Sequence, residues 1–132
     1  MRVAHYYSNK DIRIIELTIP EIGPGELLVK IRASGICGSD VLEWYRRNKP
    51  PLVLGHEIAG DVVAVGAGVA AFAVGDRIVA THHVPCFTCH YCLNGHETAC
   101  NTLLSGTHVV PGGLGEYVRL PAINEDRGTW KI

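Results

Sequence analysis

The chain has 132 residues, long enough for one domain with its own core and too short for two full ones. Its formal net charge of −1 gives no electrostatic pull toward nucleic acid or an anionic membrane surface. Although 47% of the residues are hydrophobic, no apolar run is long enough to span a bilayer, and the opening MRVAHYYSNK lacks a signal-peptide core.

In chain order, the first third reads as strands and turns. The apolar run from Ile12 to Ile19 alternates through Ile12 and Ile14, then slips phase at Ile15 and Leu17, which predicts a bulge or bend near Ile14. Gly23-Pro24-Gly25 marks a turn, after which Leu27, Val29, Ile31 and Ala33 alternate with polar residues as in a half-buried strand. Ser39 and Asp40 are placed to cap a short helix over Val41 to Arg47, and Pro50-Pro51 stops it. Ile58 to Val65 is valine-rich and reads as a buried strand. Gly75-Asp76 is a turn, Arg77 to Thr81 a strand, Pro111-Gly112-Gly113 a loop, and Tyr117 to Leu120 a last short strand. With fifteen glycines, seven prolines and no long amphipathic helix, the fold class expected is mainly β, a barrel-like closure of short strands.

Val65 to Ala71 fits G-x-G-x-x-A, the dinucleotide fingerprint, after an apolar strand. That pattern binds a pyrophosphate only where a helix starts at the glycines, and too few residues separate it from Gly75-Asp76 for such a helix. The run is therefore read as a glycine turn between strands.

Two groups of residues carry chemistry. Cys86, Cys89, Cys92 and Cys100 follow C-x2-C-x2-C-x7-C, a spacing that lets a tight loop turn four sulfurs onto one ion. Two disulfides or four unrelated thiols are the alternatives, but the expected address is the cytoplasm, where cysteines more often bind metal. Four thiolates would saturate a zinc ion and leave no corner for a substrate. His82, His83, His90 and His96 around this lobe are read as loop or surface residues, and His5 and His108 carry no signal. The second group is Cys37, Ser39, Asp40, His56 and Glu57, from Gly35-Ile36-Cys37-Gly38-Ser39-Asp40 and Gly55-His56-Glu57. A thiolate and an imidazole delivered from strand ends can share a zinc with corners left open. Asp40 has the chemistry to accept the second ring N–H of His56, and Ser39 to relay a proton. Taken singly, Cys37 is as readily a small buried hydrophobe, His56 a core histidine, Glu57 a surface carboxylate and Ser39-Asp40 a helix cap.

Gly55-His56-Glu57-Ile58-Ala59-Gly60, then Gly66 and Val69, matches G-H-E-x-x-G-x5-G-x2-V, with Val74-Gly75-Asp76-Arg77 and the four-cysteine lobe downstream. In these motifs the chain resembles the N-terminal, GroES-like catalytic domain of the medium-chain zinc-dependent alcohol dehydrogenases. The resemblance implies a partly open GroES-like barrel with one or two short helices over residues 1–132, apparently incomplete, with a zinc-stabilised lobe at 85–101 and no Rossmann domain. It implies a structural zinc on Cys86, Cys89, Cys92 and Cys100, and a catalytic zinc on Cys37 and His56 that Glu57 approaches. Ser39 then starts the proton relay and Asp40 supports the ligand set. It further implies NAD or NADP in the full-length enzyme, a small alcohol or polyol as substrate, and a homo-oligomer. Cys-Gly-Ser-Asp is similar to the polyol and threonine dehydrogenase branches. Two departures stand out. Leu42 occupies the position, five after Cys37, where many relatives have the histidine that ends the relay. The family's remaining catalytic ligand lies beyond Ile132, so the 132 residues alone are expected to be inactive. Trp44 and Tyr45 are candidates for one pocket wall. A zinc-stabilised β module that binds a partner without catalysis is the alternative function.

Overall fold

A computed structural model of the chain describes residues 1–46, 49, 51–105 and 109–132. Among these, the strands are β1 (Arg2–Ser8), β2 (Asp11–Glu16), β3 (Leu27–Gly35), β4 (Leu52–Val53), β5 (Glu57–Val65), β6 (Arg77–Thr81), β7 (Tyr117–Leu120) and β8 (Thr129–Lys131). The helices are single turns or little more: α1 (Gly38–Val41), α2 (Glu43–Arg46), α3 (His90–Leu93), α4 (Asn101–Leu104) and α5 (Ala122–Arg127), with a 3₁₀ turn at Glu97–Ala99. None is long and apolar enough to cross a membrane.

Every ladder is antiparallel, and the strands form two sheets, β2-β1-β4 and β7-β3-β5-β6-β8. The larger sheet does not close into a barrel; β7 and β8 remain its edges. The stretch before β7 sews the sheets together. Ala4 N–H donates to the Leu114 carbonyl at 2.8 Å, Glu116 N–H to Arg2 at 3.1 Å, and Ile31 N–H to Glu116 at 2.9 Å. Period-two alternation sends Leu27 and Val29, Ile78 and Ala80, and Val118 and Leu120 to one face, where they meet Ile58 and Val62 of β5. Val69 and Phe72, from the loop after β5, pack against this core. Truncating one of its leucines would cost about 2–5 kcal/mol, because the rigid sheet cannot collapse onto the void.

That loop is also where the G-x-G-x-x-A run lies, and no helix starts there. Gly66 has a purely steric role. Its N–H donates to Glu26 O at 2.8 Å, and a Cβ on it would run into the Gly23 carbonyl. The glycine thus serves the close approach of two turns.

Three local expectations need correction. The ladder between β1 and β2 is regular through Ala4↔Ile14, and its irregularity falls between Tyr6 and Ser8. The phase slip in β2 has another cause: the strand is a sheet edge whose Ile12 and Ile14 are 58% and 70% exposed, so its pattern does not follow burial. The helix expected over Val41 to Arg47 is two separate turns broken at Leu42, whose φ/ψ of −74°/93° is extended. Arg47 and Pro50 lie outside the described residues. The capping residue is Cys37, in extended geometry, and Asp40 reaches back from inside α1 to accept its N–H at 2.9 Å.

Asp61 of β5 ties three strands together at the surface. Arg77 of β6, its direct partner in register, donates to it at 2.8 Å, and Arg32 of β3 at 2.6 Å. The hydrogen bond from Arg77, then that from Arg32, hold the carboxyl down at about 2 against an ordinary 3.8. A folded pKa below the unfolded one means stabilisation present above the unfolded value and lost as pH falls through the folded one. Asp61→Asn is therefore expected to flatten the stability curve between pH 3.8 and about 2. Urea titrations across that window test this, and a variant with the parent's acid slope would exclude it.

Candidate functional site

The register of β3 against β5 builds the first centre. Gly35 at the end of β3 faces Glu57 at the start of β5, so residues just past one strand and just before the other meet. Cys37 lies two residues beyond β3 rather than within it, and His56 immediately precedes β5. One ligand atom from each of Cys37, His56 and Glu57 falls within 4.8 Å of the others. The neighbouring glycine sets the approach: Gly55 has φ +93°, and a Cβ there would lie 2.6 Å from Leu114 N. Gly113 N–H donates to Gly55 O at 2.8 Å and Leu114 N–H to Leu54 O at 2.9 Å, so the backbone leading into His56 is pinned. The side chain of His56 is 11% exposed, Cys37 is half-buried and Glu57 is exposed. Sulfur, nitrogen and oxygen donors on one point, with one side open, suit a divalent metal that keeps a free corner.

Asp40 sits behind this cluster, 4% exposed. Its Oδ1 is 3.8 Å from His56 Nδ1, facing the ring but beyond hydrogen-bond length. The carboxylate instead accepts from Cys37 N–H at 2.9 Å and from Arg46 Nη2 at 3.2 Å. Arg46, 9% exposed, also donates through Nε to the Ser39 carbonyl at 2.9 Å. Removing one partner of such a buried pair costs about 3–5 kcal/mol, because the other charge is left unpaired. Nothing in the sequence distinguishes Arg46 from Arg47, since neither motif includes it and only the fold turns it inward. A cavity of about 190 Å³, lined in part by Asp40, Arg46, His56 and Pro111, adjoins the centre. Ser39 is half-buried on α1 two residues from Cys37. Trp44 and Tyr45 are 70% and 42% exposed on α2.

His82 and His83 follow β6 in a bend, as expected for loop residues, but His82 is half-buried with its ring centroid 4.3 Å from that of His56. The antiparallel pair Glu57↔Thr81 brings this about, and sequence spacing alone carries no sign of it. His90 and His96 are exposed on the lobe, and His108 lies outside the described residues.

The second centre is local. Cys89 caps α3, Cys92 lies within it, and Cys100 caps α4. Phe87 takes φ +56° to turn the loop. The sulfurs stand 3.6 Å apart for Cys89–Cys92 and Cys86–Cys100, and 4.0 Å for Cys86–Cys92. All five cysteines are free, and these separations far exceed the ~2.05 Å of a disulfide. They match the ~3.8 Å edge of a tetrahedron with Zn–S bonds of ~2.3 Å. Backbone N–H groups already point at sulfur: Cys86 N to Cys100 Sγ at 3.4 Å and Cys89 N to Cys86 Sγ at 3.3 Å. The thiols are pulled apart in acidity. A hydrogen bond from the Thr88 side chain, joined by backbone N–H groups, brings Cys86 down to about 5. Burial, then the neighbouring Cys89 thiol, pushes Cys92 up to about 12. Four thiolates this close repel one another, so all ionise together only around a cation. The donor set is compatible with zinc.

The chain matches the family described as alcohol dehydrogenase GroES-like domain over residues 23–125. It is 39% identical over 129 residues to an L-threonine 3-dehydrogenase of Caldanaerobacter subterraneus, covering 92% of this chain and 37% of that enzyme. Among solved structures, galactitol-1-phosphate dehydrogenase of Escherichia coli superposes with a TM-score of 0.82 at 32% identity, covering all of this chain and 38% of the other. A cobalt- and zinc-bound thermostable alcohol dehydrogenase of Pyrobaculum aerophilum gives 0.76 at 30% identity, covering 94% of this chain and 40% of the other. The chain thus spans little more than a third of the length of these relatives.

Proposed function

Because the chain belongs to the alcohol dehydrogenase GroES-like domain family, we propose that it supplies the metal-binding half of the active site of a zinc-dependent, NAD(P)-linked dehydrogenase. The observation that carries this reading is the convergence of Cys37, His56 and Glu57 beside a separate, all-cysteine centre. One centre is open on one side and the other is closed by its own ligands, the division between catalytic and structural zinc. Cys37 and His56 would hold the catalytic ion, with Glu57 as an exchangeable third donor, and Cys86, Cys89, Cys92 and Cys100 the structural one.

A zinc ion held at the open centre would polarise an alcohol oxygen and favour loss of its proton near neutral pH. Ser39, beside Cys37, would take up that proton. Leu42 cannot carry it further, so Ser39 releases it to water. Asp40 fixes the Cys37 amide and faces the His56 ring, holding both donors in aim. The hydride would go to a nicotinamide, for which the described residues form no phosphate-binding turn, since no helix opens at Gly66. Residues 1–132 are accordingly the GroES-like portion of the catalytic domain, with the lobe at 85–101. A small alcohol or polyol substrate is supported by the dehydrogenases the chain resembles, and a cytoplasmic address and self-association of the whole enzyme complete the proposal.

Native mass spectrometry of the purified chain tests it. Two zinc ions are expected, one of them lost first to a mild chelator. A single zinc that resists the chelator would sink the open-centre assignment and favour a non-catalytic binding module.

A further inference from the structure

We propose that Arg46 is the positioning residue of the open centre, an inference that rests on the dehydrogenase reading above. Its guanidinium spans two anchors: Nη2 on Asp40 Oδ1 at 3.2 Å and Nε on the Ser39 carbonyl at 2.9 Å. It therefore holds α1 from behind, at the turn that begins with Cys37 as its cap. Asp40 is fixed from the other side by the Cys37 N–H on Oδ2, and its Oδ1 faces His56 Nδ1 at 3.8 Å. A carboxylate clamped this way sets the orientation of two donors at once: the Cys37 backbone through a direct bond, and the His56 ring through the face it presents. The planar guanidinium reaches both anchors in a fixed geometry, which a lysine point charge does not reproduce. Arg46 is 9% exposed and its hydrogen bonds go to Asp40 and the Ser39 carbonyl, so its effect on Cys37 and His56 passes through these two residues.

The test uses cobalt(II) and zinc binding to the purified chain, with the lobe as internal control. Arg46→Met is expected to weaken binding at the open centre 10- to 100-fold, the range for partners that orient metal ligands. The lobe ion should stay in place, and the thiolate-to-cobalt charge-transfer intensity contributed by Cys37 should fall. Arg46→Lys is expected to recover only part of the affinity. A second variant, Arg46→Met with Asp40→Asn, removes the unpaired charge that could unfold the single variant, and should remain weak at the open centre. Open-centre affinity within twofold of the parent in the double variant would overturn the proposal, since Arg46 would then merely balance charge. If the parent itself binds one ion, the open-centre assignment of the proposed function fails instead. Nitrogen-15 NMR of the His56 ring in the metal-free chain then decides Arg46 alone, with one tautomer expected in the parent, two in Arg46→Met, and an unchanged ring overturning the role.

Discussion

Cys100→Ser is expected to unfold the lobe while the sheets survive. Cys100 is fully buried, its sulfur receives the Cys86 N–H and lies 3.6 Å from Cys86 Sγ, and among the described residues the metal-ligand group here consists of the four cysteines alone. Between Pro85 and Asn101 the regular structure is one four-residue helix and one 3₁₀ turn, each too short to persist unaided. On the proposed reading a zinc on the four cysteines is the main restraint on that loop, and structural zinc sites contribute on the order of 10 kcal/mol of binding free energy. Hydrogen exchange followed by mass spectrometry should show protection collapsing over residues 85–101 in the variant, or in the parent after zinc removal. Strands β3, β5 and β6, whose core contacts do not involve the lobe, should keep theirs. Exchange that stays uniform along the whole chain would refute a metal-dependent lobe.

The second large effect concerns chemistry. Cys37→Ala should abolish binding at the open centre, leave the lobe zinc intact, and in the complete dehydrogenase lower kcat/KM by more than about a hundredfold. That figure is a floor, because losing even an indirect partner of a metal ligand costs 10- to 100-fold. The fold should tolerate the change: Cys37 is a half-buried residue in a loop, and its N–H still reaches Asp40. Unchanged metal content together with unchanged turnover would show that the ion is held elsewhere.

The two centres were legible in the sequence to different degrees. All four lobe cysteines lie within fifteen residues, so spacing alone restricts where their sulfurs can go. Cys37 and His56 are nineteen residues apart, and on residue chemistry each was equally readable as a core side chain. Only the motif around Gly55-His56-Glu57 linked them. Strands with clean alternation, such as Leu27 to Ala33, Arg77 to Thr81 and Tyr117 to Leu120, were also legible, because one face of each meets the core. β1 escaped notice: its buried residues are Val3 and Tyr6, an odd spacing beside the ladder irregularity between Tyr6 and Ser8. α5 and β8 escaped as well. Asn124, wholly buried and donating to Thr81 O at 2.9 Å, reads in sequence as a polar surface residue. Arg127, whose guanidinium donates to the Cys86 carbonyl and lies 5.7 Å from the Phe87 ring, gave no sign that it braces the lobe.

The sequence by itself thus determined what local covalent geometry can enforce: the cysteine lobe, the alternating strands, and the failure of Gly66 to open a nucleotide-binding helix. Tertiary structure alone decided the rest. The Gly35↔Glu57 register brings Cys37 to His56, the Glu57↔Thr81 register brings His82 beside them, and the fold around α1 turns Arg46 inward onto Asp40. The physical reason is range. A four-thiolate site closes through loops of two to seven residues, whereas the open centre exists only once strand pairing has fixed which distant residues stand opposite each other.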